Sequence, residues 1–375
     1  MIAGVPHQGG ATWAVLQYIL GLRRLGHQVL FIEPVEAEAI RPTGAGLTDS
    51  ENAAYFRRVV REFGLDGAAA LLLAGTKETL GMGYEELRRI ASDCDVLLNI
   101  SGMLADGELL EAIPRRVYLD LDPAFVQLWC AVEGIDMRFD AHTHFVTVGL
   151  SIGTPDSSIP TCGRTWISTL QPIVLEHWPA AETIEHDAFT TVANWRGYGS
   201  VHHGGVFYGQ KAHSVRPFFE LPSRTRERVR LALSIHPDEV SDLQALSANG
   251  WELLEPSRLT GTPGDYQRFV RGSKGEIGFA KSGYVEAACG WFSDRSICYL
   301  ASGRPVLAQD TGFTRHLPVG EGLLAFATLD DAVHGIDVLR SDYARHAVAA
   351  RELAASHFES GRVLSRLLDE VGAIW

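Results

Sequence analysis

Short apolar runs and one helical period alternate at the start of the chain. Residues 1–5 are apolar, and a loop over residues 6–10 follows. Apolar residues then recur at helical spacing over residues 11–25, before a stop at Gly26. Residues 28–32 have the pattern of a buried strand. A strand, a helix and a second strand in this order predict a parallel sheet with a ligand crevice at the carboxyl ends of its strands.

The same alternation continues in two runs, separated by a segment rich in Gly, Pro, Ser and Thr over residues 151–179. Helical periodicity closes the chain from Tyr343 onward. Together the runs predict an α/β protein with two facing Rossmann-like domains. The predicted strands span residues 95–100, 116–120 and 145–149 in the first run, and 189–194, 228–235, 251–254, 278–281 and 304–309 in the second.

Composition limits the partners of this chain. It has 375 residues with 46 acidic and 33 basic side chains, and its net charge of -13 disfavours general binding to nucleic acid or anionic lipid. Five scattered cysteines fit neither a disulfide scaffold nor a zinc ribbon, and they suit a reducing cytoplasm. The longest apolar run, residues 67–75, has about half the length of a membrane span. We therefore expect a cytoplasmic protein with no integral membrane segment and no secretory signal.

A Gly/Ser loop that opens a helix is the strongest local binding signal. Gly290 permits close approach of backbone, and Ser293 and Asp294 are residue types that begin helices. The N–H groups at the start of such a helix bind anions, and Arg295 and Ser296 add further phosphate-binding groups. The alternative is that Ser293 and Asp294 only cap an ordinary helix.

A lysine lies shortly before this loop, in the sequence Ala280-Lys281-Ser282-Gly283-Tyr284. Lys281 could be a second phosphate-binding cation, with Tyr284 beside it. A solvated lysine next to a strand is the alternative.

Polar residues follow two strands of the first run and are candidates for acid–base catalysis. His7 lies between the first strand and the first helix, where it would face the crevice as a general base. Gly9 and Gly10 in the same loop would let a ligand approach the backbone closely. Asp120 and Asp122 end a later strand on the same ligand side. The alternatives are a tight turn with a surface histidine and an aspartate that caps the next helix.

Several other kinds of site find little support. His142 and His144, with Asp140, could form half a metal site, but no second ligand cluster follows, so no metal is predicted. The absence of GxGxxG after the first strand disfavours a nicotinamide dehydrogenase. GxxxxGK[ST] and GxSxG are also absent, which excludes a P-loop nucleotidase and argues against an α/β-hydrolase.

These residues resemble the GT-B-fold glycosyltransferases over essentially the whole chain. The likeness is sharpest at Gly9-Gly10 with the helix that follows, and over residues 290–306 (GWFSDRSICYLASGRPV). The closing helices after Tyr343 are similar to the pair that crosses back over the first domain in that fold. The resemblance implies an acceptor-binding domain over residues 1–180, a nucleotide-sugar-binding domain over residues 181–345 and crossing helices over residues 346–375.

The resemblance also implies roles for individual residues. Arg196 and Lys211 take the places of a cation pair after the first strand of the second domain, although a polar insertion over residues 197–209 separates them here. Asp310, Thr311 and Gly312 would approach the donor sugar. The residues expected to bind the donor are Gly9, Gly10, Arg196, Lys211, Lys281, Tyr284, Gly290, Ser293, Asp294, Arg295, Ser296, Asp310, Thr311 and Gly312.

The chain departs from the pattern of retaining relatives, because two of their glutamate positions hold Gly290 and Cys298. Retaining and inverting transfer therefore both stay open. In an inverting enzyme, His7 or Asp122 would take the proton of the acceptor as its catalytic base. In a retaining enzyme the leaving diphosphate would assist instead.

The function implied is metal-independent transfer of a sugar from a nucleotide-sugar to a small-molecule acceptor in the cleft between the domains. The nucleotide-sugar is a co-substrate, and no cofactor is expected. A nucleotide-sugar 2-epimerase of the same fold and a non-catalytic nucleotide-sugar-binding protein are the alternatives. The base, the sugar, the acceptor and its reacting atom stay open, and a homodimer is compatible with the sequence.

Overall fold

A computed structural model describes residues 1–373 and divides the strands of the first half between two sheets. One sheet has three strands, of which the first two are parallel and the third is antiparallel: β1 Phe31–Val35, β2 Ala69–Leu73 and β3 Thr79–Gly81. The other has four parallel strands: β4 Val96–Ile100, β5 Arg115–Asp120, β6 His144–Thr147 and β7 Trp166–Ser168. The apolar run at residues 67–75 thus contains a buried strand, which its length alone did not predict.

Helices surround both sheets of the first half. The hydroxyl of Ser50 begins one of them by accepting the N–H of Ala53 at 3.0 Å, and Asp106 caps another in the same way. The helices are α1 Gly9–Arg24, α2 Glu51–Glu62, α3 Tyr84–Asp93, α4 Gly107–Leu110 and α5 Phe125–Ala131, with 3₁₀ turns at Ala37–Ala39, Leu47–Asp49 and Phe139–Ala141.

The strand predicted for residues 1–5 is wrong. The N–H groups of Ile2, Ala3 and Gly4 donate to the carboxylate of Glu33 on β1, at 2.8 to 3.0 Å, instead of to a neighbouring strand. The Met1 side chain folds back toward Gly4, so that a Cβ at Gly4 would lie 2.8 Å from the Met1 sulfur. A buried side-chain carboxylate therefore satisfies backbone donors that a strand would pair with another strand.

A continuous six-stranded parallel sheet organises the second half. Its strands lie in the order β12, β11, β8, β13, β14, β15, and the polar insertion over residues 197–209 contains a separate antiparallel hairpin of β9 and β10. The strand predicted at residues 278–281 begins earlier and ends at Gly278. The strands are β8 His186–Asn194, β9 Val201–His203, β10 Val206–Tyr208, β11 Val229–Ser234, β12 Glu252–Leu254, β13 Ser273–Gly278, β14 Val306–Gln309 and β15 Leu323–Phe326.

The helices of the second half lie between and after these strands. They are α6 Lys211–Val215, α7 Leu221–Arg224, α8 Val240–Ala248, α9 Pro256–Leu259, α10 Pro263–Gly272, α11 Ser282–Ala287, α12 Asp294–Ala301 and α13 Leu329–Ser341, with 3₁₀ turns at Arg216–Phe218 and Phe313–Arg315. No helix within residues 1–373 is long and apolar enough to cross a membrane.

The last helices connect the two halves. α14 Tyr343–Leu353 packs against α12, and a π-helical turn at Ala354–Phe358 leads into α15 Ser360–Glu370, which packs against α1. The contact with α1 is close, because a Cβ at Gly21 would lie 2.5 Å from Leu364 Cδ1. The chain therefore crosses back from the second half to the first.

Contacts between the halves are direct. The Trp13 indole on α1 donates to the Pro263 carbonyl at 2.9 Å, and the Tyr55 hydroxyl donates to the Gly261 carbonyl at 3.3 Å. Ser151 Oγ of the first half lies 2.9 Å from His316 Nε2, which follows the 3₁₀ turn at Phe313–Arg315 in the second half. The predicted fold class is confirmed: two Rossmann-like α/β units face each other, with helices crossing back at the end of the chain.

Candidate functional site

Three cationic side chains meet at the carboxyl edge of the second sheet, and we call Lys211, Lys281 and Arg295 the cation cluster. Lys211 begins α6 after the hairpin that follows β8, Lys281 precedes α11 after β13, and Arg295 lies in the first turn of α12. All the strands of this sheet are parallel, so the loops after them collect at one edge. The Lys211 ammonium donates to the carbonyl of Phe279, two residues before Lys281, and the charges of Arg295 and Lys281 help to lower the pKa of Lys211.

Of the three cations in the cluster, Lys211 has the least compensation of its positive charge by nearby carboxylates. Its ammonium donates to the Phe279 carbonyl, and no carboxylate within residues 1–373 lies within 4.0 Å of it. Burial, followed by the charges of Arg295 and Lys281, holds the pKa of Lys211 well below its usual value. Lys211 is half-buried, with a carbonyl as its hydrogen-bond partner and with Glu276 and Asp294 only partly offsetting the neighbouring cations. This is an electrostatic environment that an anionic ligand would complete.

Arg295 is already paired. Its Nε donates to Glu276 on β13, whose side chain is fully buried, and its Nη1 donates to the Val192 carbonyl at 3.1 Å. Glu276 therefore holds the guanidinium in place under the first turn of α12. The Arg295 guanidinium, which was predicted to bind phosphate, is therefore oriented by the carboxylate of Glu276.

The start of α12 combines a cap with a half-buried acid. Ser293 Oγ accepts the N–H of Arg295 at 3.2 Å, so Ser293 is a helix cap, as one of the sequence alternatives has it. Asp294 is half-buried, and its desolvation raises its pKa above the ordinary value. Ser296, in the first turn of the same helix, is buried.

A second cluster crosses between the two halves of the molecule. Asp122, after β5, receives Lys281 at 3.0 and 3.1 Å, the hydroxyl of Tyr198 at 2.5 Å and the hydroxyl of Tyr284. Burial and the charge of Asp122 raise the pKa of both phenols, so each stays protonated and donates. The Lys281 ammonium also lies 4.1 Å from the centre of the Tyr198 ring. Asp122 does not cap the next helix with its side chain.

Asp120 supports the loop that carries Asp122. Its carboxylate accepts the N–H of Asp122 at 2.8 Å and is bonded to Gln127 and Thr147. Burial raises the pKa of Asp120 to about 6. Asp120 thus positions Asp122 rather than facing the cation cluster.

Two glycine-containing loops close the carboxyl edge of the second sheet. Gly290 has a φ of +75°, and its N–H donates to the Thr311 carbonyl at 2.8 Å. Because glycine has no side chain, the backbone of Ser151 from the first domain can pack against it: a Cβ at Gly290 would lie 3.0 Å from the Ser151 nitrogen. Asp310 accepts the N–H of Gly312 at 2.8 Å and fixes the following turn. The enclosed space beside Ser293, Arg295 and Gln309 amounts to about 10 Å³, the volume for a single water.

Other predicted site residues lie in different surroundings. The Arg196 guanidinium donates to both carboxylate oxygens of Glu239. His7 Nε2 lies 2.8 Å from Glu51, and its ring packs on Tyr55. The structure therefore does not bring these two side chains into the cation cluster.

The close approach predicted at Gly9 and Gly10 is made by protein and not by an open ligand site. A Cβ at Gly9 would lie 2.2 Å from the Thr262 carbonyl oxygen, and a Cβ at Gly10 would lie 2.8 Å from the Tyr266 ring. In this structure the two glycines let α1 pack closely against the second half, and their role in binding the donor stays a prediction.

Two residues of the site were missed from the sequence. Tyr198 lies in the polar insertion at residues 197–209, and its partner Asp122 is 76 residues away along the chain. Glu276 lies in β13, within the part of that strand that was not predicted from the sequence, where a fully buried charge is uncommon.

No group of three or more metal-ligating side chains occurs among the described residues. His142 is buried against Asn99 at 3.0 Å and the Arg138 carbonyl at 2.8 Å, while Asp140 pairs with Arg164. Only His144 of the three lies in a strand.

The two facing Rossmann-like units with crossing helices define a GT-B fold. No protein-family model and no curated protein sequence matches the chain. Solved structures do share its fold. An α-glucosyltransferase in complex with UDP and a 13-mer DNA containing an HMU base has a TM-score of 0.59 at 12% identity, over 99% of this chain and 98% of that one.

Two further solved structures are similar in fold to this chain. A glycosyltransferase from Rickettsia africae has a TM-score of 0.54 at 12% identity, over 97% of this chain and 94% of its own. HepE from Anabaena in complex with UDP-glucose has a TM-score of 0.53 at 11% identity, over 85% of this chain and 89% of its own. At these identities the likeness establishes the fold.

Proposed function

We propose that this protein is a glycosyltransferase that moves a sugar from a nucleotide-sugar donor to a small-molecule acceptor, without a bound metal. The observation that carries the proposal is the cation cluster of Lys211, Lys281 and Arg295 beside the start of α12. Positive side chains and a helix N-terminus can neutralise a leaving diphosphate where charge develops in the transition state. UDP or UDP-glucose in solved structures of the same fold supports this choice of ligand.

In the proposed complex the diphosphate takes the place beside Lys211 that no carboxylate fills. Lys281 exchanges Asp122 for phosphate oxygens, and Arg295, held by Glu276, lies behind the helix start. The space beside Ser293, Arg295 and Gln309 is only about 10 Å³, and the pair of Lys281 with Asp122 joins the two halves beside it. We propose that the halves separate at this pair when the donor enters. Gly290, Ser293, Asp294, Ser296 and the turn at residues 310–312 remain the predicted surroundings of the donor.

Asp122 is the better supported of the two proposed bases. Its carboxylate lies on the first-domain side of the contact and beside Lys281, while His7 is paired with Glu51. Movement of Lys281 to the diphosphate would free Asp122 to accept the proton of an acceptor hydroxyl or amine. The anomeric configuration of the product separates this inverting route from a retaining one, in which the leaving diphosphate assists.

A small acceptor is favoured over a nucleic acid. Although DNA accompanies some of the similar solved structures, the net charge of -13 on this chain opposes binding to a polyanion. Five cysteines without disulfide partners fit a cytoplasmic location.

Thermal unfolding against a panel of nucleoside diphosphates, with Mg²⁺ or EDTA, tests the donor site. A ligand at 100 times its dissociation constant adds about 2.7 kcal/mol to the native state and raises the unfolding midpoint by several degrees. We expect one diphosphate to stabilise the protein equally in EDTA. If none does, the donor site is contradicted.

Product analysis with the matching nucleotide-sugar then separates the candidate activities. Sugar transfer that needs an acceptor supports the transferase. Isomerisation of the donor without acceptor supports the epimerase, and tight binding without turnover over a broad acceptor panel supports a non-catalytic binder.

A further inference from the structure

A large cavity separates the two sheets of the first half, and we call it the strand slot. Its volume is about 820 Å³, and residues of both β1 and β4 line it. Packed protein interiors leave few voids larger than a water molecule. An opening of this size between two sheets is therefore a place where the packing is incomplete.

Both strands that border the strand slot have one unsatisfied edge. β1 pairs with β2 on one side and β4 pairs with β5 on one side, and within residues 1–373 no strand pairs with the facing edge of either. Each of these edges offers backbone N–H and C=O groups in the geometry that another strand would bond. The two edges face the same cavity, so one strand between them would pair with both.

Helices already cover the strand slot on both faces. Alternate residues of β4 point to different layers: Leu97 packs with Met82 and Leu109 near α3 and α4, whereas Leu98 packs with Tyr18 and the closing helix α15. The slot therefore has the form of a missing central strand in one sheet, with its helical layers in place. Its faces are apolar, so the side chains of the missing strand must be apolar on both sides.

Topology fixes where the missing strand joins the chain. A helix that leads into a parallel strand is normally preceded by a strand next to it, through a right-handed crossover. α1 leads into β1, so the strand before α1 belongs beside β1, which is the strand slot. With it the order becomes β3, β2, β1, slot, β4, β5, β6, β7, one doubly wound sheet whose order reverses at the slot.

Residues 1–8 cannot fill the slot themselves. The N–H groups of Ile2, Ala3 and Gly4 are bonded to the side chain of Glu33, the central residue of β1, and do not pair with the backbone edge of that strand. Met1 lines the cavity. A strand that runs along β1 and continues into Ile2 must therefore lie before Met1.

We propose that an apolar strand of about five or six residues, joined directly before Met1 in the working protein, fills the strand slot and fuses the two sheets into one. The inference rests on the two facing edges and the cavity between them, and it does not depend on the proposed glycosyltransferase activity.

Amide hydrogen exchange on three matched proteins tests the proposal. The first is the 375-residue chain, the second carries six added β-forming apolar residues before Met1, and the third carries six Gly and Ser residues there. We expect exchange of Phe31–Val35 and Val96–Ile100 to slow at least tenfold only in the second protein. Exchange in β11 of the second sheet is the internal reference and should not change.

The outcomes separate the possible occupants. Equal exchange in all three proteins, or equal slowing by the Gly and Ser extension, overturns the proposal. Slowing in the unextended chain that increases with protein concentration would mean that a second copy fills the slot, which also overturns it. If the unextended chain does not fold, recovery by the apolar extension and not by the Gly and Ser extension supports it.

The amino terminus of the protein isolated from the cells that make it is an independent test. Peptide mass spectrometry should find a natural chain that begins at least five residues before Met1. A natural chain that begins at Met1 overturns the proposal. Diphosphate binding, measured on the same samples, reports separately on the proposed function.

Discussion

The two sheets of this protein differ in how completely their backbones are paired. In the second sheet six parallel strands form an unbroken series, and the loops after them bring Lys211, Lys281 and Arg295 together. In the first half the series stops at β1 and resumes at β4, and the Glu33 carboxylate takes the N–H groups of residues 2–4. In this chain the first half therefore keeps its helical layers around an open central strand position, which the proposed strand before Met1 would fill.

The comparison predicts different sources of stability in the two halves. The stability of the first half depends on α15, which packs across α1, and on the Glu33 carboxylate, which accepts backbone N–H groups that a neighbouring strand would otherwise bond. The second half depends on its own continuous sheet. Substitutions in each half and at the contact between them separate these contributions to stability and to binding.

Truncation of Leu364 tests the contribution of α15. Leu364→Ala removes a fully buried side chain that packs against Gly21, and we expect a loss of about 3 to 4 kcal/mol in the free energy of unfolding. Leu246→Ala, equally buried in the core of the second half, is the matched control. Hydrogen exchange should show faster opening of the first half only for Leu364→Ala, and equal opening of both halves in both variants would contradict the distinction.

Glu33→Gln tests the carboxylate at the open sheet. The neutral amide keeps one acceptor oxygen and loses the charge that receives three N–H groups, so we expect a loss of about 2 kcal/mol in denaturant unfolding. Glu86→Gln on the exposed face of α3 is the control and should change the free energy by less than about 0.5 kcal/mol. A loss no larger than that of the control would mean that Glu33 does not replace a strand's hydrogen bonds.

The pH dependence of diphosphate binding tests the lowered pKa of Lys211. An anion beside the ammonium favours its protonated form, so binding takes up a proton above the pKa of the free site. Affinity should be constant below that pKa and fall up to about tenfold per pH unit above it. Titrations from pH 7.5 upward avoid phosphate protonation, which occurs near pH 6.

Lys211→Met provides the control for this pH profile. Its remaining affinity should vary less with pH than that of the wild type, because the titrating group is gone. Parallel profiles for the two proteins would assign the pH dependence to another group.

Asp122→Asn tests the contact between the two halves. The amide no longer holds Lys281, so the ammonium is free for phosphate, and we expect diphosphate affinity to rise about threefold to tenfold, near 1 kcal/mol. Sugar transfer should fall at the same time if Asp122 is the base. Unchanged affinity would show that the pair with Lys281 does not compete with the donor.

Much of the second sheet could be predicted from the sequence because its strands are apolar runs bounded by turn residues. β8, β11 and β14 lie within two or three residues of their predicted bounds. The failure at residues 1–5 has a physical cause: although β1 has a free edge, the Glu33 carboxylate accepts the N–H groups of Ile2, Ala3 and Gly4, so these residues do not pair with a strand.

The candidate site was only partly visible in the sequence. Lys281 and Arg295 stand beside a recognisable loop and helix start, and Lys211 came from the family resemblance. Tyr198 and Glu276 could not be predicted from spacing, because their importance arises from partners that lie far along the chain, at Asp122 and Arg295. Gly9 was expected to let a ligand approach, and the structure shows the backbone at Thr262 close to it.

Calorimetric titration of UDP and related diphosphates into three proteins tests the central claim, that the cation cluster binds the donor. The proteins are the wild type, Lys211→Met and Lys274→Met. Lys274 is a similarly shielded lysine on β13 that pairs with Glu227 and Asp187. We predict that Lys211→Met weakens the best diphosphate about 30-fold to 100-fold, near 2 to 3 kcal/mol, while Lys274→Met leaves its affinity unchanged. Equal affinities in all three proteins would contradict the account.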